Sequence, residues 1–233
     1  MDLPTALVTG ASRGLGRALA AALAARGWRL VVDGRDADRL QTAVATFPRP
    51  DLVTALPGDV ADPAHRAALA DAVGPRLDLL VNNASDLGPS PLPRLDDLSL
   101  EDLSRVIAVN TVAPLVLFQA VLPALRAASG QVLNISSDAA VEAYAGWGGY
   151  GASKAALDQL SAVLAVEHPE LRVHAVDPGD MATDMHQAAF PGEDISDRPA
   201  PETVVPALLA LIDGDRPSGR YRAADLLPEG ADR

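Results

Sequence analysis

Tyr150 and Lys154 stand four residues apart in Tyr150-Gly-Ala-Ser-Lys154, at the start of an Ala/Leu-rich stretch where a helix would carry phenol and ammonium on one face. A phenol titrates near ~10, too high to exchange protons readily at neutral pH, and a cation held beside it favours the phenolate. The spacing fits a proton-transfer centre. Taken alone, such a pair more often marks a solvated helix face. A second stretch with chemical content is Thr9-Gly10-Ala11-Ser12-Arg13-Gly14-Leu15-Gly16, which follows an apolar run at 5–8 and opens a helical pattern. Backbone amides and the positive end of a helix would meet there, a setting for a pyrophosphate. Its G-x3-G-x-G spacing departs from the G-x-G-x-x-G fingerprint, and an ordinary strand-to-helix turn is the other reading.

The elements that must position these groups alternate along the chain. Strands are expected near 5–9, 28–33, 52–56, 77–81, 131–136, 171–176 and 219–223, with helices near 14–26, 37–46, 63–73, 100–127, 149–167 and 202–213. That order predicts an α/β fold: a doubly wound, Rossmann-type parallel sheet of about seven strands with helices on both faces. Asp62-Pro63 reads as a helix start, and Gly27 and Gly130 as helix stops. The Pro- and Asp-rich stretches at 87–98 and 191–201 read as surface loops. The chain has 233 residues, 48% of them hydrophobic, which suits one domain over 1–233. Net charge is -12, from 19 basic and 31 acidic residues with no basic run, so neither nucleic acid nor an anionic membrane is an expected partner. The absence of cysteine excludes disulfides and thiolate metal sites and is compatible with a cytoplasmic location. No export signal is read at the N-terminus, and the longest membrane-span candidate is taken as the eight residues 18–25, far short of the ~20 a bilayer requires.

Further chemistry falls at the expected carboxyl ends of strands, where open sheets bind ligands: Gly58-Asp59-Val60 after the third, Asn82-Asn83-Ala84-Ser85 after the fourth and Ser136-Ser137 after the fifth. Together with Thr9 to Gly16, Asn110, Tyr150, Lys154 and Pro178-Gly179, these resemble the short-chain dehydrogenase/reductase family, in order and separation, over about residues 3–186. The resemblance implies that Gly10, Ser12, Arg13, Gly14, Leu15 and Gly16 bind dinucleotide phosphates. It also implies that Asp59 and Val60 meet the adenine, that Asn82 and Ala84 line the adenosine side, and that Pro178, Gly179 and Thr183 close over the nicotinamide. Tyr150 would then serve as general acid or base, Ser137 would hydrogen-bond the reacting oxygen, Lys154 would bind the nicotinamide ribose and depress the Tyr150 pKa, and Asn110, through a bend in the long 100–127 helix, would hold a water that links Lys154 to solvent. No metal is required.

Cofactor choice lies in Val31-Val32-Asp33-Gly34-Arg35, where a carboxylate would hold a ribose 2'-hydroxyl and an arginine a 2'-phosphate. By the family pattern Gly34 occupies the discriminating position and Arg35 follows it, with Arg13 near enough to add a second cation, so NADP(H) is preferred. Asp33 keeps NAD(H) open. Asp138, Trp147, Met181, Met185, His186 and Phe190 fall where a pocket wall and a short lid over 180–201 are expected. The segments 146–150, 167–173 and 177–185 are similar to the sepiapterin reductase branch. The expected activity is an NADPH-dependent carbonyl reductase acting on a small ketone or alcohol; the alternatives are a non-catalytic NADP-binding regulator or scaffold, and a nucleotide-sugar epimerase, which the short C-terminal region disfavours. The 218–226 segment, Ser218-Gly219-Arg-Tyr-Arg-Ala-Ala-Asp-Leu, replaces the acidic-glycine-glycine tail of many family members. A homodimer through the apolar faces of the 100–127 and 149–167 helices is the expected assembly, with a tetramer as the other.

Overall fold

A computed structural model describes residues 3–226. Seven strands, β1 (Thr5–Val8), β2 (Arg29–Gly34), β3 (Val53–Pro57), β4 (Leu79–Asn82), β5 (Gln131–Ile135), β6 (Arg172–Asp177) and β7 (Gly219–Arg222), pair in the order β3-β2-β1-β4-β5-β6-β7. Every neighbouring pair is parallel. The order reverses between β1 and β4, so crossovers must leave on opposite faces. Such a crevice is where open parallel sheets bind ligands.

Strand periodicity accounts for the two cores. Ala6 and Val8, Leu30 and Val32, Leu79 and Val81, and Leu133 pack on one face with α1 (Gly14–Ala25), α2 (Ala37–Ala45) and α8 (Val205–Asp213). Leu7, Val31, Leu80, Val132 and Val173 point the other way, against α3 (Pro63–Val73), α5 (Ala113–Ala128) and α6 (Gly148–Glu167). Both faces are covered, which is why these strands read as continuous apolar runs. Each fully buried leucine contributes about 2 kcal/mol by leaving water.

Local signals set most helix starts. Asp36 accepts the Arg39 amide at α2, Asp62 accepts the Ala64 amide at α3 ahead of Pro63, and Ser99 accepts the Asp102 amide at α4 (Leu100–Ile107). The helix expected across 100–127, with a bend at Asn110, is α4, a π-helical turn at Ala108–Val112, and α5. The turn is held from outside: Asn110 and Thr111 both hydrogen-bond to Ser153 of α6. The continuous Leu100–Ala128 run also corrects the expectation that no apolar stretch exceeds eight residues, because its 29 residues are long and apolar enough to cross a membrane by length and composition. It packs on α3, α6 and β4, and we read it as a helix of this sheet's covering layer.

Three other expectations change. Gly130 is not the left-handed stop of α5; Ser129 takes that conformation at φ 49°, and Gly130 instead lets the chain approach the Leu77 carbonyl. The helix expected over 202–213 is a 3-10 turn at Pro201–Thr203 followed by α8. A short helix, α7 (Asp184–Ala189), capped by Thr183, stands where none was expected.

At the sheet's carboxyl edge one close approach of backbone involves Gly16, in the first turn of α1. A Cβ there would lie 2.4 Å from the Gly10 carbonyl oxygen and 2.3 Å from Asn83 Nδ2. Backbone on one side leaves no easy relief. Gly16→Ala should therefore lower unfolding free energy by about 1–3 kcal/mol, as overpacking does; an unchanged urea midpoint would show that the loop yields freely.

Candidate active site

A cleft of about 860 Å³ runs along the carboxyl ends of the strands, from the loop after β1 to the segment after β6. One polar knot holds its floor. Thr9 Oγ1 donates to the Val81 carbonyl at 3.2 Å and accepts the amides of Asn83 and Ala84 at 3.0 Å each, while Asn83 Nδ2 donates to the Thr9 and Gly10 carbonyls. The ends of β1 and β4 are thereby fastened to one another.

The glycine loop forms one end. Gly10 has φ +69°, a conformation that L side chains rarely adopt, and its amide donates to Asp33 Oδ1 at 2.6 Å. Helix α1 starts at Gly14 with no side-chain cap and no acidic residue in its first turn, so its leading amides and positive end face the cleft uncompensated. Arg13, Arg35 and Arg39 line the same end. Arg13 Nη1 and Arg39 Nη1 both reach Asp184 Oδ2, at 2.7 and 3.1 Å, and the two guanidiniums hold that carboxyl below its ordinary value. These ion pairs are half exposed and each is worth at most about 1 kcal/mol. Uncapped amides, glycines and converging guanidiniums form a donor set that fits a phosphorylated dinucleotide.

Ser137, Tyr150 and Lys154 line the other end. Ser137 Oγ donates to Asp138 Oδ1 at 2.9 Å and accepts the Ala139 amide. Tyr150 is 8% exposed, packed with Leu87 and Ala139 and edge-on to Trp147 at 5.7 Å. Burial pushes its phenol up to about 12; the Ser85 and Ser137 hydroxyls pull it down, and the Asp138 and Asp177 carboxylates push it further up. Lys154 is 2% exposed, and its Nζ donates to the Ile135 carbonyl at 2.7 Å. Burial pulls this ammonium down to about 8, against a smaller upward pull from Asp158. Nζ lies 5.5 Å from the Tyr150 ring centroid. Trp147, Met185 and His186 line the cleft beside these groups, and Phe190 backs them, 6.0 Å from Trp147 and 4.9 Å from His186.

Residues 4–194 match the sequence profile of the short chain dehydrogenase family. The chain belongs to that family. The Escherichia coli K12 protein described as the uncharacterized oxidoreductase YciK is 34% identical over 222 residues, covering 90% of this chain and 86% of its own. Mouse sepiapterin reductase is 37% identical over 199 residues, covering 78% and 76%. Among solved structures, a short chain dehydrogenase of Escherichia coli CFT073 complexed with NADPH superposes with a TM-score of 0.84 at 31% identity, covering 96% of this chain and 97% of the other. One from Shigella flexneri 2a complexed with NADP gives 0.86 at 29% identity, covering 96% and 98%.

Of the positions carried over from the short-chain dehydrogenases, Gly10, Ser12, Arg13, Gly14, Leu15, Arg35, Asp59, Val60, Ala84, Pro178, Gly179 and Thr183 line the cleft with Ser137, Tyr150 and Lys154. Two expectations need correction. Asn82 does not face the adenosine side: it is 4% exposed, and its Nδ2 donates across the sheet to Asn134 Oδ1 at 2.7 Å, while Asn83 takes the place beside the loop. Gly16 is a packing position behind the loop rather than a lining one. The Asn110 side chain is fully engaged by the protein. Its Oδ1 accepts from the Asp86 amide and Ser85, and its Nδ2 donates to the Asp86 carbonyl and Ser153. Lys154 Nζ is drawn to the Ile135 carbonyl, and burial penalises the charged form of both this ammonium and the Tyr150 phenol.

The sequence reading passed over Arg39 and Asp184. Arg39 carried a weak signal, a cation one turn into the helix after β2; Asp184 became visible only when α7 placed it opposite the loop. The Tyr150 position yields a direct check. Ultraviolet difference titration of the wild type against Tyr150→Phe should assign no phenolate to this ring up to about pH 9, three units below its value; a phenolate signal near pH 8 that disappears in the variant would reverse the assignment.

Proposed function

We propose that this short-chain dehydrogenase is an NADP(H)-dependent carbonyl reductase, which transfers hydride between nicotinamide and a small ketone or alcohol. The observation that carries the reading is that one cleft joins the uncapped helix start and its arginines to Ser137, Tyr150 and Lys154. The cofactor preference draws on Arg13, Arg35 and Arg39 at the loop end and on the NADP and NADPH complexes of the two structural relatives. Residues 180–201, with α7 and the Phe190 ring, serve as the substrate lid, and Trp147 is the wall they meet.

Bound NADPH supplies the hydride; the chain supplies position and the proton. At neutral pH the phenol is protonated, as reduction requires, and it donates its proton to the carbonyl oxygen as negative charge develops there. Ser137 Oγ releases Asp138 and donates to the same oxygen. The phenolate left behind is charged in a buried place, and the Lys154 ammonium stabilises it; with its own value near 8, Lys154 passes a proton back more readily than an ordinary lysine. Asn110 acts at a distance, keeping the π-turn docked on Ser153, whose hydroxyl in turn donates to the Tyr150 carbonyl.

Tyr150→Phe removes only the phenolic hydroxyl. It should retain NADPH binding, read by nicotinamide fluorescence, and lose at least ~100-fold of carbonyl reduction, the lower range for acid-base catalysis; full activity would remove Tyr150 from the mechanism. Wild-type protein that binds NADPH yet oxidises none across a broad carbonyl panel would favour the regulator reading. Arg35→Ala should weaken NADPH on the order of tenfold or more while leaving NADH little changed, the loss of one charge-assisted hydrogen bond. Equal losses for both nucleotides would withdraw Arg35 from cofactor selection.

A further inference from the structure

Asp33 poses a difficulty for an NADP(H) enzyme. A carboxylate at the carboxyl end of β2 is the group that would hold a ribose 2'-hydroxyl and repel a 2'-phosphate. This carboxylate is engaged elsewhere. Asp33 is 1% exposed; its Oδ1 accepts the Gly10 amide at 2.6 Å, and its Oδ2 faces His65 Nε2 at 3.1 Å. With a carboxylate oxygen as acceptor, Nε2 carries the hydrogen, which sets the imidazole tautomer.

His65 is itself built into place. It belongs to the first turn of α3, started by Asp62 and Pro63, and is 9% exposed. Its ring occupies the space beside Gly58, where a Cβ would lie 2.2 Å from Nδ1. The glycine that follows β3 is thus matched to the imidazole. The imidazole is matched to the carboxylate, and the carboxylate to the glycine loop.

We propose that His65 is a positioning residue for cofactor selection. By holding Asp33 onto Gly10, it keeps the carboxylate from the adenosine ribose and leaves Arg35 to read a 2'-phosphate from a strand that carries an acid. The inference rests on the NADP(H) reading above. Without the imidazole donor, Asp33 keeps a single partner for a buried charge, and turning its carboxylate toward the cleft restores its solvation. In that orientation it accepts from a ribose 2'-hydroxyl and opposes a 2'-phosphate.

The test is the ratio of NADH to NADPH dissociation constants, measured by nicotinamide fluorescence. His65→Leu should lower that ratio on the order of tenfold, the worth of a hydrogen bond to a charged group. His65→Gln, which retains a donor, should recover much of it. Gly58→Ala should shift it the same way with the imidazole still present, since the new methyl displaces the ring; this variant serves if His65→Leu does not fold. In an Asp33→Asn background, where the charge is gone, His65→Leu should leave the ratio where Asp33→Asn alone puts it. A purely structural His65 would weaken both nucleotides by one factor, and that outcome overturns the proposal, as does a ratio change that survives Asp33→Asn. Wild-type protein that prefers NADH would overturn the NADP(H) reading together with this one. A wild-type preference for NADPH that the His65 and Gly58 variants leave unmoved would overturn the clamp alone.

Discussion

The Thr9–Asn83 knot is the constraint on which the rest of the cleft depends. A parallel sheet pairs its strands along their length but leaves their carboxyl ends without a ladder partner, and this fold gathers its chemistry at those ends. One hydroxyl and one amide close the gap between β1 and β4 with five hydrogen bonds. Gly16 has no side chain because Asn83 fills that space, and Gly10 adopts a left-handed turn with its amide aimed at Asp33. The shape of the glycine loop therefore follows from a side chain just past the end of another strand.

The chemical end is keyed in a comparable way, through an irregular helix. The π-turn at Ala108–Val112 carries Asn110 and Thr111 to Ser153, one on its hydroxyl and one on its carbonyl, and Ser153 also holds the Tyr150 carbonyl. Tyr150 thus stands at the start of a helix fixed by its neighbour as well as by its own backbone. A regular helix over 100–128 would shift the register of one side of that contact. The irregularity positions the phenol, although Asn110 lies outside the cleft.

Much of this was legible in the sequence, and the misses share a cause. All seven strands lie where alternation with helical patterns puts them, because parallel strands buried on both faces leave long apolar runs between polar turns. Ser137, Tyr150 and Lys154 were legible because each sits at the first residues past a strand or at a helix start, where position in the chain translates directly into position at the edge. What failed was side-chain direction. Asn82 and Asn83 are neighbours, and only the pleat decides that the first turns into the sheet against Asn134 and the second toward the loop. The π-turn left no periodic signature in its apolar stretch, and the bend at Asn110 was legible only through the family resemblance. The role of Asp33 hung on a partner thirty-two positions later, His65, to which no local pattern points.

Lys154 has a consequence for how such a chain changes over generations. An ammonium among the least exposed side chains of the fold, satisfied by a single carbonyl, is a group whose burial works against folding. An apolar residue of similar length at that position would relieve the fold of a desolvated charge, so drift governed by stability alone runs toward losing it. A lysine in that place is not explained by packing.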